Sequence, residues 1–216
     1  MASHEFRTPL TSIASSAELV DAYVSRGEYE MVSKHVARIK KCVRDMDELL
    51  ADFLSLDKLE KGKAQAQCRL FNLRELVIDI CDDLSPLLKP GQTIIRAYTG
   101  SETVFLDPIL LKIVLQNLIS NASKYSGENV PIQVDITASP EYLTIRVIDQ
   151  GIGIPISDQC HIFGCFYRAQ NAENISGIGL GLYITKSYID LMQGEIGFSS
   201  VAGAGTTFWV AFKTSV

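Results

Sequence analysis

Two asparagines and a lysine recur with helical spacing in the stretch QNLISNASKYS. Asn117, Asn121 and Lys124 fall at i, i+4 and i+7, so they form one polar stripe on a helix. An amide oxygen is a ligand suited to Mg²⁺, and a lysine suits phosphate oxygens. The adjacent stripe is apolar and consists of Leu111, Leu115, Leu118, Ala122 and Tyr125. The pattern indicates a polar groove beside a buried face, and the alternative is a solvated helix face.

Asp149 ends the predicted strand YLTIRVID with the same parity as the apolar residues before it. Its carboxylate is therefore expected to point toward the buried side of the strand, where it needs a hydrogen-bond donor. The exocyclic amine of adenine is one such donor, and a backbone group or water is the alternative. Gly151 and Gly153 follow at once, and the missing side chains let backbone approach a ligand closely.

A second glycine run, SGIGLGLYI, places Gly177, Gly179 and Gly181 just before a predicted helix. Free N–H groups and the positive end of the helix would face a common point, which favours a phosphate group. A GxGxG run alone is a weak signal, and the polar loop before it disfavours a dinucleotide-binding fold. The sequence contains no GxxxxGK, which excludes a P-loop.

The first sixty residues carry a heptad pattern. Apolar residues alternate in steps of four and three over a first helix, expected at residues 2–25, and again after Gly27 over a second helix reaching Leu59. The first set is Phe6, Leu10, Ile13, Ala17, Val20 and Val24, and the second is Val32, Val36, Ile39, Val43, Met46, Leu50 and Phe53. One partner helix cannot cover such a stripe, so the pattern predicts a homodimeric four-helix bundle. The alternative is a helical pair packed on the rest of its own chain.

His4 lies near the start of the first helix, in the stretch SHEFRTPL. It falls at heptad position b, away from the apolar seam, so its imidazole is expected to face solvent. Thr8 follows one turn later on the same face. Pro9 cannot donate to the carbonyl of Glu5, and the helix is expected to bend there.

The heptads stop around Lys61-Gly62-Lys63, which suggests two domains, residues 1–61 and 62–216. Beyond this point the sequence predicts a helix in NLRELVIDICDDLSPLL, strands in TIIRAY and ETVFLD, and a helix capped by Asp107. It then predicts a hairpin about Ser139-Pro140, a helix in GLGLYITKSYIDLM, and strands in GEIGFSS and GTTFWVAF. This order is typical of an α+β fold with a mostly antiparallel sheet and helices on one face.

The bulk composition is that of a soluble globular protein, with 47% hydrophobic residues and a net charge of −5. No basic patch supports nucleic-acid binding. The five cysteines are scattered and follow no secretory signal, so a reducing, cytoplasmic setting is expected. No apolar run reaches the roughly 18 residues that span a bilayer. We therefore expect that these 216 residues do not contact a membrane. We also expect that they form the cytoplasmic part of a larger receptor, whether or not that receptor is membrane-bound.

In this order, the motifs resemble the catalytic core of bacterial sensor histidine kinases of two-component systems. SHEFRTPL resembles the H box, QNLISNASKYS the N box, DQGIGIP and GIGLGL the two glycine boxes, HIFGCFYR the F box, and GTTF the closing strand motif. The resemblance covers nearly all 216 residues. It implies a helical hairpin followed by an ATP-binding, two-layer α+β sandwich of the GHKL (Bergerat) type. The implied partners are a second copy of the chain and the receiver domain of a response regulator.

In the hairpin, the resemblance implies that His4 is the phospho-acceptor. A ring nitrogen would attack the γ-phosphate of ATP while Glu5 accepts the proton of the other ring nitrogen. Thr8 matches the phosphatase signature of the family, in which its hydroxyl orients a water against the phospho-aspartate of the response regulator.

In the ATP-binding domain, the resemblance implies that Asn121 is the Mg²⁺ ligand. Asn117 and Lys124 would contact metal-bound or neighbouring phosphates, and Tyr125 would form a wall of the pocket near the ribose.

At the adenine end of the pocket, the resemblance implies that Asp149 binds the amine. Gly151 and Gly153 would lie beside the ring, with Thr206 near the same edge through a water.

The remaining implied site residues belong to a lid over the nucleotide. The glycines that would hinge it and meet the phosphates are Gly177, Gly179 and Gly181. Phe163 and Phe166 would anchor the lid, with simple core packing as the alternative. Arg168 would reach the γ-phosphate, with an exposed loop arginine as the alternative. Cys160, His161 and Cys165 lie close together in the sequence, and we interpret them as packing residues.

Two other functions compete with an autophosphorylating kinase. The first is a kinase-impaired nucleotide-binding sensor that acts mainly as a phosphatase or a regulator-binding module. The second is an ATPase of the wider family that includes gyrase and mismatch-repair proteins, which the histidine hairpin disfavours.

Overall fold

The computed structural model describes residues 2–139, 141–172, 175 and 177–214, with side chains throughout these ranges except at residues 2–5 and 48. The chain forms two compact units, Met1–Glu60 and Lys61–Val216. None of the described helices is both long and apolar enough to span a membrane.

The first unit is a hairpin of two helices, α1 (Ala2–Arg26) and α2 (Tyr29–Glu60), as the heptads predict. Gly27 ends α1 with a φ of +74°, a conformation that glycine adopts without a side-chain penalty. The N–H of Gly27 donates to the carbonyl of Val24, and the N–H of Glu28 donates to that of Tyr23. These two bonds satisfy carbonyls at the end of α1 and turn the chain into α2.

The two helices of the hairpin pack through part of the heptad stripe. The rings of Phe6 and Phe53 lie 5.5 Å apart, and Tyr23 stacks on His35 at the other end of the hairpin, also at 5.5 Å. Other members of the stripe are half-buried, and four large ones remain exposed: Leu10 (52%), Val24 (50%), Val43 (46%) and Leu50 (51%). Pro9 lies within α1, which continues through it as one helix.

In the part of the second unit that the structure describes, the chain forms a five-stranded sheet, a two-stranded sheet and three α-helices. Its helices are α3 (Leu73–Leu84), α4 (Pro108–Tyr125) and α5 (Gly181–Leu191). Its strands are β1 (Arg69–Asn72), β2 (Ile94–Gly100), β3 (Thr103–Leu106), β4 (Ile132–Ala138), β5 (Tyr142–Asp149), β6 (Glu195–Val201) and β7 (Gly205–Lys213). The large sheet has the order β2-β4-β5-β7-β6, and only its β2–β4 pair is parallel. The predicted α+β fold with a mostly antiparallel sheet is confirmed.

The N-terminus of α4 follows the sequence prediction closely. Oδ1 of Asp107 accepts the N–H groups of Ile109 and Leu110 at 2.8 and 3.0 Å, and Pro108 occupies the first turn. The predicted N-cap is therefore confirmed. Oδ2 of Asp107 also accepts the N–H of Gln67 at 2.7 Å, so the cap fixes the chain that leads into β1.

Strand β1 is absent from the sequence prediction, which begins a helix at Asn72. The strand pairs antiparallel with β3, and Asn72 belongs to it. The same asparagine is the N-cap of α3, because its side chain accepts the N–H of Glu75 at 3.1 Å. The turn predicted at Ser139-Pro140 joins β4 to β5, but Pro140 lies outside the described residues.

The core of the second unit lies between the large sheet and its helices. Burial alternates along β4 and β5, which indicates one face toward the core and one toward solvent. On the helical side, the apolar stripe of α4 fills the space against β4 and β5. The residues exposed by 2% or less in this core include Leu111, Leu115, Leu118, Ile136, Leu143, Ile145 and Val210. This packing holds α4 firmly, with its polar stripe beside the buried face.

Candidate functional site

The site begins at the end of β5 with a buried carboxylate. Asp149 is 7% exposed, and β5–β7 pairing places it opposite Thr206. Its Oδ1 accepts the N–H groups of Gly151 and Thr206, at 2.8 and 3.2 Å. Burial raises the pKa of Asp149, and the two backbone donors oppose that effect. Among the described residues no donor is bonded to Oδ2, which is therefore available to a ligand.

The first glycine loop crosses the end of α4. The N–H of Ile152 donates to the carbonyl of Tyr125 at 3.2 Å. A Cβ at Gly151 would lie 2.5 Å from that carbonyl oxygen and 2.8 Å from Oδ1 of Asp149, so no other residue fits without displacement. Gly153 has a φ of +61°, which strains any side-chain-bearing residue. The two glycines thus allow the loop to lie between α4 and Asp149.

Two residues that sequence reasoning missed hold this loop. Ser200 accepts the N–H of Ile154 at 2.8 Å and shares a hydrogen bond with the Thr206 hydroxyl at 2.9 Å. Asn171 donates to the carbonyl of Gly153 at 2.9 Å. Both come from distant segments, so no local spacing could have identified them.

The polar stripe of α4 is half-buried and ordered by α5. Asn117 donates through Nδ2 to the hydroxyl of Thr185 at 2.6 Å, and its Oδ1 accepts Nδ2 of Asn121 at 3.3 Å. Thr185 is only 1% exposed and is a further residue that the sequence did not reveal. Since Asn121 donates in this chain of bonds, its amide oxygen is the group left to meet a cation.

At the C-terminal end of the stripe, Lys124 lies beside Tyr125, with Nζ 5.2 Å from the ring centroid. Burial raises the pKa of Tyr125, and the charge of Arg168 lowers it to a smaller degree. The phenol and the two cations therefore occupy one region of the site.

The second glycine run lies against the same helix face. A Cβ at Gly177 would come 2.5 Å from Nζ of Lys124, and one at Gly181 would come 2.6 Å from Oδ1 of Asn117. Gly179 adopts a φ of +76°, and a Cβ there would lie 2.8 Å from the carbonyl carbon of Phe166. Helix α5 starts at Gly181, and no side chain among the described residues caps it, so its first N–H groups are available to an anion.

The two F-box phenylalanines have different environments. Phe163 is half-buried and meets Phe198 edge to face, with ring centroids 6.0 Å apart. Phe166 is 40% exposed and has a φ of +62°. Packing against the sheet therefore fixes the first ring, whereas the second lies next to the glycine run.

Arg168 is held within its own loop. Its Nη2 donates to the carbonyls of Ala172 and Ile175, both at 2.6 Å. Nearby, the buried Asp158 accepts the hydroxyl of Tyr167 at 3.0 Å and the N–H of Gln170 at 2.9 Å. The N–H of Gln170 is the main cause that lowers the pKa of Asp158.

The interpretation of Cys160, His161 and Cys165 as packing residues is wrong, because all three are exposed. The turn that carries them is organised instead by Asp158, which is 2% exposed. The rings of His161 and Tyr167 lie 5.4 Å apart, centroid to centroid, and are tilted by 48°.

The proposed acceptor region lies in the first turns of α1. The predicted directions of the His4 and Glu5 side chains fall outside the described side chains. Thr8 is exposed, one helical turn after His4.

Together, the described groups suit a ligand with two different ends. Asp149 offers a carboxylate oxygen to an amine at one end, while Asn121, Lys124 and the N-terminus of α5 offer partners for anionic oxygens and their counterion at the other. The first glycine loop lies between Asp149 and the end of α4, and the second glycine run lies against Asn117 and Lys124. An adenine nucleotide has this arrangement of groups.

Comparisons with known proteins agree with this chemistry. The family described as "Histidine kinase-, DNA gyrase B-, and HSP90-like ATPase" matches residues 106–216. The "His Kinase A (phospho-acceptor) domain" matches residues 1–62. The second match favours the histidine kinases over the gyrase-like ATPases that share the first.

Curated relatives match along almost the whole chain. The sensor protein GacS of Pseudomonas syringae pv. syringae is 32% identical over 221 residues, which cover 98% of this chain and 24% of GacS. The sensor protein kinase WalK of Staphylococcus aureus is 32% identical over 220 residues, which cover 99% of this chain and 52% of that protein. The chain thus spans from about a quarter to about half of the length of these relatives.

Solved structures show the same fold. The Acinetobacter baumannii histidine kinase AdeS superposes with a TM-score of 0.67 at 19% identity, covering 99% of this chain and 98% of AdeS. Full-length ShkA in complex with AMPPNP gives a TM-score of 0.68 at 25% identity, covering 99% of this chain and 45% of ShkA. The chain belongs to the bacterial sensor histidine kinases of two-component systems, with the phospho-acceptor domain followed by the ATP-binding domain.

Proposed function

We propose that the chain autophosphorylates His4 from ATP and transfers the phosphoryl group to an aspartate of a response regulator. In this proposal residues 1–61 form the dimerisation and phosphotransfer domain and residues 62–216 the catalytic domain. The observation that carries it is the two-ended site, in which the Asp149 carboxylate and the Asn121–Lys124 stripe flank one glycine loop. Both ends are fixed by buried elements, α4 and the β5–β7 pair.

Asp149 binds the adenine amine through Oδ2, since Oδ1 already accepts two backbone N–H groups. Thr206 meets the same edge of the base through a water, and its hydroxyl is oriented by Ser200. Gly151 and Gly153 lie beside the ring, where a side chain would collide with Tyr125 or with the strand end. Asp149 and Thr206 thereby recognise one edge of the adenine base, and neither side chain has to rearrange when the base binds.

The phosphates lie along α4 toward α5. Asn121 supplies the amide oxygen to Mg²⁺, which neutralises phosphate charge when bound. Asn117 and Lys124 contact the metal-bound or neighbouring phosphates, and Tyr125 forms the wall beside the ribose. The bond from Asn117 to Thr185 supports this assignment, because it ties the phosphate end of α4 to α5.

The lid consists of the segment between the F box and α5. Gly177, Gly179 and Gly181 act as its hinges and meet the phosphates, and Phe163 and Phe166 anchor it. The packing of Phe163 on Phe198 supports the anchor. Arg168 reaches the γ-phosphate once its bonds to the carbonyls of Ala172 and Ile175 open.

In the transfer step, a ring nitrogen of His4 forms a bond to the γ-phosphorus as the bond from that phosphorus to the ADP oxygen breaks. Glu5 accepts the proton from the other ring nitrogen, so the imidazole gains no lasting positive charge. ADP leaves with the bridging oxygen. The phosphoryl group then passes from nitrogen to an aspartate oxygen of the response regulator.

A homodimer places two hairpins side by side. The exposed part of the heptad stripe supports the homodimer, since Leu10, Val24, Val43 and Leu50 remain about half exposed in one copy. A second copy covers these residues and completes a four-helix bundle.

Incubation with radiolabelled ATP and Mg²⁺ tests the kinase proposal. We expect an acid-labile, alkali-stable phosphoprotein that is lost in His4→Gln and kept in the control Gln133→Ala, a change at an exposed residue on β4. Label that persists in His4→Gln would contradict the assignment of the acceptor.

Dephosphorylation of the response regulator is a second candidate activity, favoured by the exposed position of Thr8 one turn after His4. Its hydroxyl would orient the attacking water. The decay of a phosphorylated receiver domain should be faster with the protein than without it, and Thr8→Ala should remove the difference. Equal decay with the wild-type protein and Thr8→Ala would refute this role.

A further inference from the structure

A four-residue turn before β2 contacts the end of the helix that carries the polar stripe. Lys89, Pro90, Gly91 and Gln92 place proline and glycine at the two central positions, and Gly91 has a φ of +73°. The N–H of Gln92 donates to the carbonyl of Lys89 at 3.0 Å, which closes a turn of type II pattern. The turn brings the side chains of Lys89 and Gln92 to one point.

Both side chains bond to carbonyls at the C-terminus of α4. Nζ of Lys89 donates to the carbonyls of Lys124 and Ser126, at 2.8 and 2.6 Å. Nε2 of Gln92 donates to the carbonyls of Ser123 and Gly127, at 3.2 and 2.8 Å. A helix C-terminus leaves its last four carbonyls without helical partners, and here side chains from a distant turn donate to two of them, those of Ser123 and Lys124.

The remaining carbonyls of this last turn are bonded as well. That of Ala122 accepts the N–H of Ser126, and that of Tyr125 accepts the N–H of Ile152 in the first glycine loop. The turn, the helix end and the glycine loop therefore form one hydrogen-bonded unit. Gln92 is 7% exposed, and its Oε1 also accepts a hydrogen bond from the hydroxyl of Ser123 at 2.6 Å. The side chain of Gln92 is therefore buried against the helix end, with a partner for its oxygen as well as for its nitrogen.

The turn is also fixed to the chain that follows α4. The N–H of Asn129 donates to the carbonyl of Pro90 at 3.0 Å, and that of Ile132 donates to the carbonyl of Thr93 at 2.8 Å. The end of α4 is thus held by the side chains of the turn, and the chain that follows α4 is held by the backbone of the turn. The helix end cannot rotate without breaking both sets of hydrogen bonds.

We infer that Lys89 and Gln92 are positioning residues for nucleotide binding: they cap α4 and so fix Asn121, Lys124 and Tyr125 relative to the glycine loop. The inference rests on the proposed nucleotide site. Neither residue needs to touch the ligand, because both donate to carbonyls of the last turn of α4, which carries the side chains of Lys124 and Tyr125. A helix end without this cap would fray over its last turn, which is where those site residues lie.

Binding of a non-hydrolysable ATP analogue with Mg²⁺, measured by calorimetry below the unfolding temperature of every variant, tests this cap. Gln92→Ala removes four side-chain hydrogen bonds and Lys89→Met removes two. Because these bonds act on the ligand only through the helix end, we expect each change to weaken the affinity about three- to tenfold. Lys89→Arg should restore most of it, since guanidinium also donates to two carbonyls. The matched controls Lys112→Met, which removes a lysine contact from the other end of α4, and Gln133→Ala should bind as the wild type does.

Hydrogen exchange separates positioning from general stability. The amides of residues 122–127 should exchange faster in Gln92→Ala while those of α5 do not change. Wild-type affinity in both Gln92→Ala and Lys89→Met, with or without a lower Tm, would overturn the inference and leave the nucleotide site intact. Absence of nucleotide binding by the wild-type protein would refute the site itself and this inference with it.

Discussion

The hairpin and the ATP-binding unit bury their apolar residues to very different degrees. Among the described side chains of the hairpin, only Ser16 and Leu56 are buried, and Leu10 and Leu50 are about half exposed. In the second unit, Ile145 and Val210 are at most 1% exposed, as are many of their neighbours. One unit closes its own core, and the other leaves part of its apolar stripe exposed.

This difference follows from geometry. A helix pair can cover only the part of each stripe that faces the other helix, whereas a sheet under helices encloses both sets of inward side chains. The second unit is therefore expected to fold independently of protein concentration. The hairpin is expected to depend on a second copy, which ties its stability to protein concentration.

The largest effect is expected in the closed core. Ile145→Ala removes a fully buried side chain between β5 and α4, and it should lower the free energy of unfolding of the second unit by about 2–5 kcal/mol. Denaturant unfolding measures this loss, which should not change with protein concentration. Ile95→Ala, at a residue 51% exposed on β2, is the control and should stay within about 0.5 kcal/mol of the wild type. A concentration-dependent loss in Ile145→Ala would contradict the independence of this core.

Asp149→Asn should weaken nucleotide binding about ten- to a hundredfold, the usual range for a hydrogen bond to a charged group. The introduced amide keeps an acceptor for the N–H groups of Gly151 and Thr206 but replaces Oδ2 by a donor. Fluorescent nucleotide titration measures the loss, and unchanged affinity would remove Asp149 from the adenine contact.

The same substitution should not destabilise the fold at neutral pH. Burial raises the pKa of Asp149 in the folded protein, so its ionised form is disfavoured there relative to the unfolded chain. This cost is fully present above the raised pKa, and it is relieved as the pH falls from the raised pKa to the ordinary value. Asp149→Asn removes it and should unfold at the same or a higher Tm at pH 7. A clearly lower Tm would show that the charge stabilises the site.

Thr185→Val should lower the stability less than Ile145→Ala does, and the nucleotide affinity less than Asp149→Asn does. It keeps the shape of a side chain that is 1% exposed but removes the acceptor of the Asn117 amide. We expect a loss of about 1–3 kcal/mol in stability, and a few-fold loss of affinity for Mg²⁺-ATP. Thr185→Ser, the matched control, keeps the hydroxyl and should retain the affinity. Equal affinities for Mg²⁺-ATP in the wild type, Thr185→Val and Thr185→Ser would show that Thr185 does not affect the phosphate end of the site.

The smallest effect is expected at the surface of the second unit. The Arg74–Glu102 pair is about half exposed on both sides, with its atoms 3.1 Å apart. Glu102→Gln should change the free energy of unfolding by at most about 1 kcal/mol. A larger loss would mean that surface charge, and not the closed core, sets the stability of this unit.

The parts of the structure that the sequence predicted are those with local or periodic causes. The hairpin follows from heptads, the start of α4 from Asp107 and Pro108, and the buried position of Asp149 from strand parity. Strand β1 was missed because its four residues show no alternation and are held by pairing with β3.

Several site contacts were missed for the same reason. Thr185, Ser200 and Asn171 reach the site only through the packing of distant elements. The Pro-Gly pair at 90 and 91 is a local turn signal, but only the folded chain shows which helix end the turn caps. The interpretation of Cys160 and Cys165 as packing residues was wrong, because their positions in the sequence do not show that the turn that carries them faces outward.

Sedimentation velocity in the presence of a fluorescent ATP analogue and Mg²⁺ tests the contrast between the two units most directly. We predict that the wild-type protein sediments as a nucleotide-bound dimer, and that Leu50→Glu sediments as a monomer that binds the nucleotide equally well. Ser33→Glu, at an exposed polar position of α2, should remain a dimer. A wild-type monomer at high concentration, or loss of nucleotide binding by Leu50→Glu, would contradict the account.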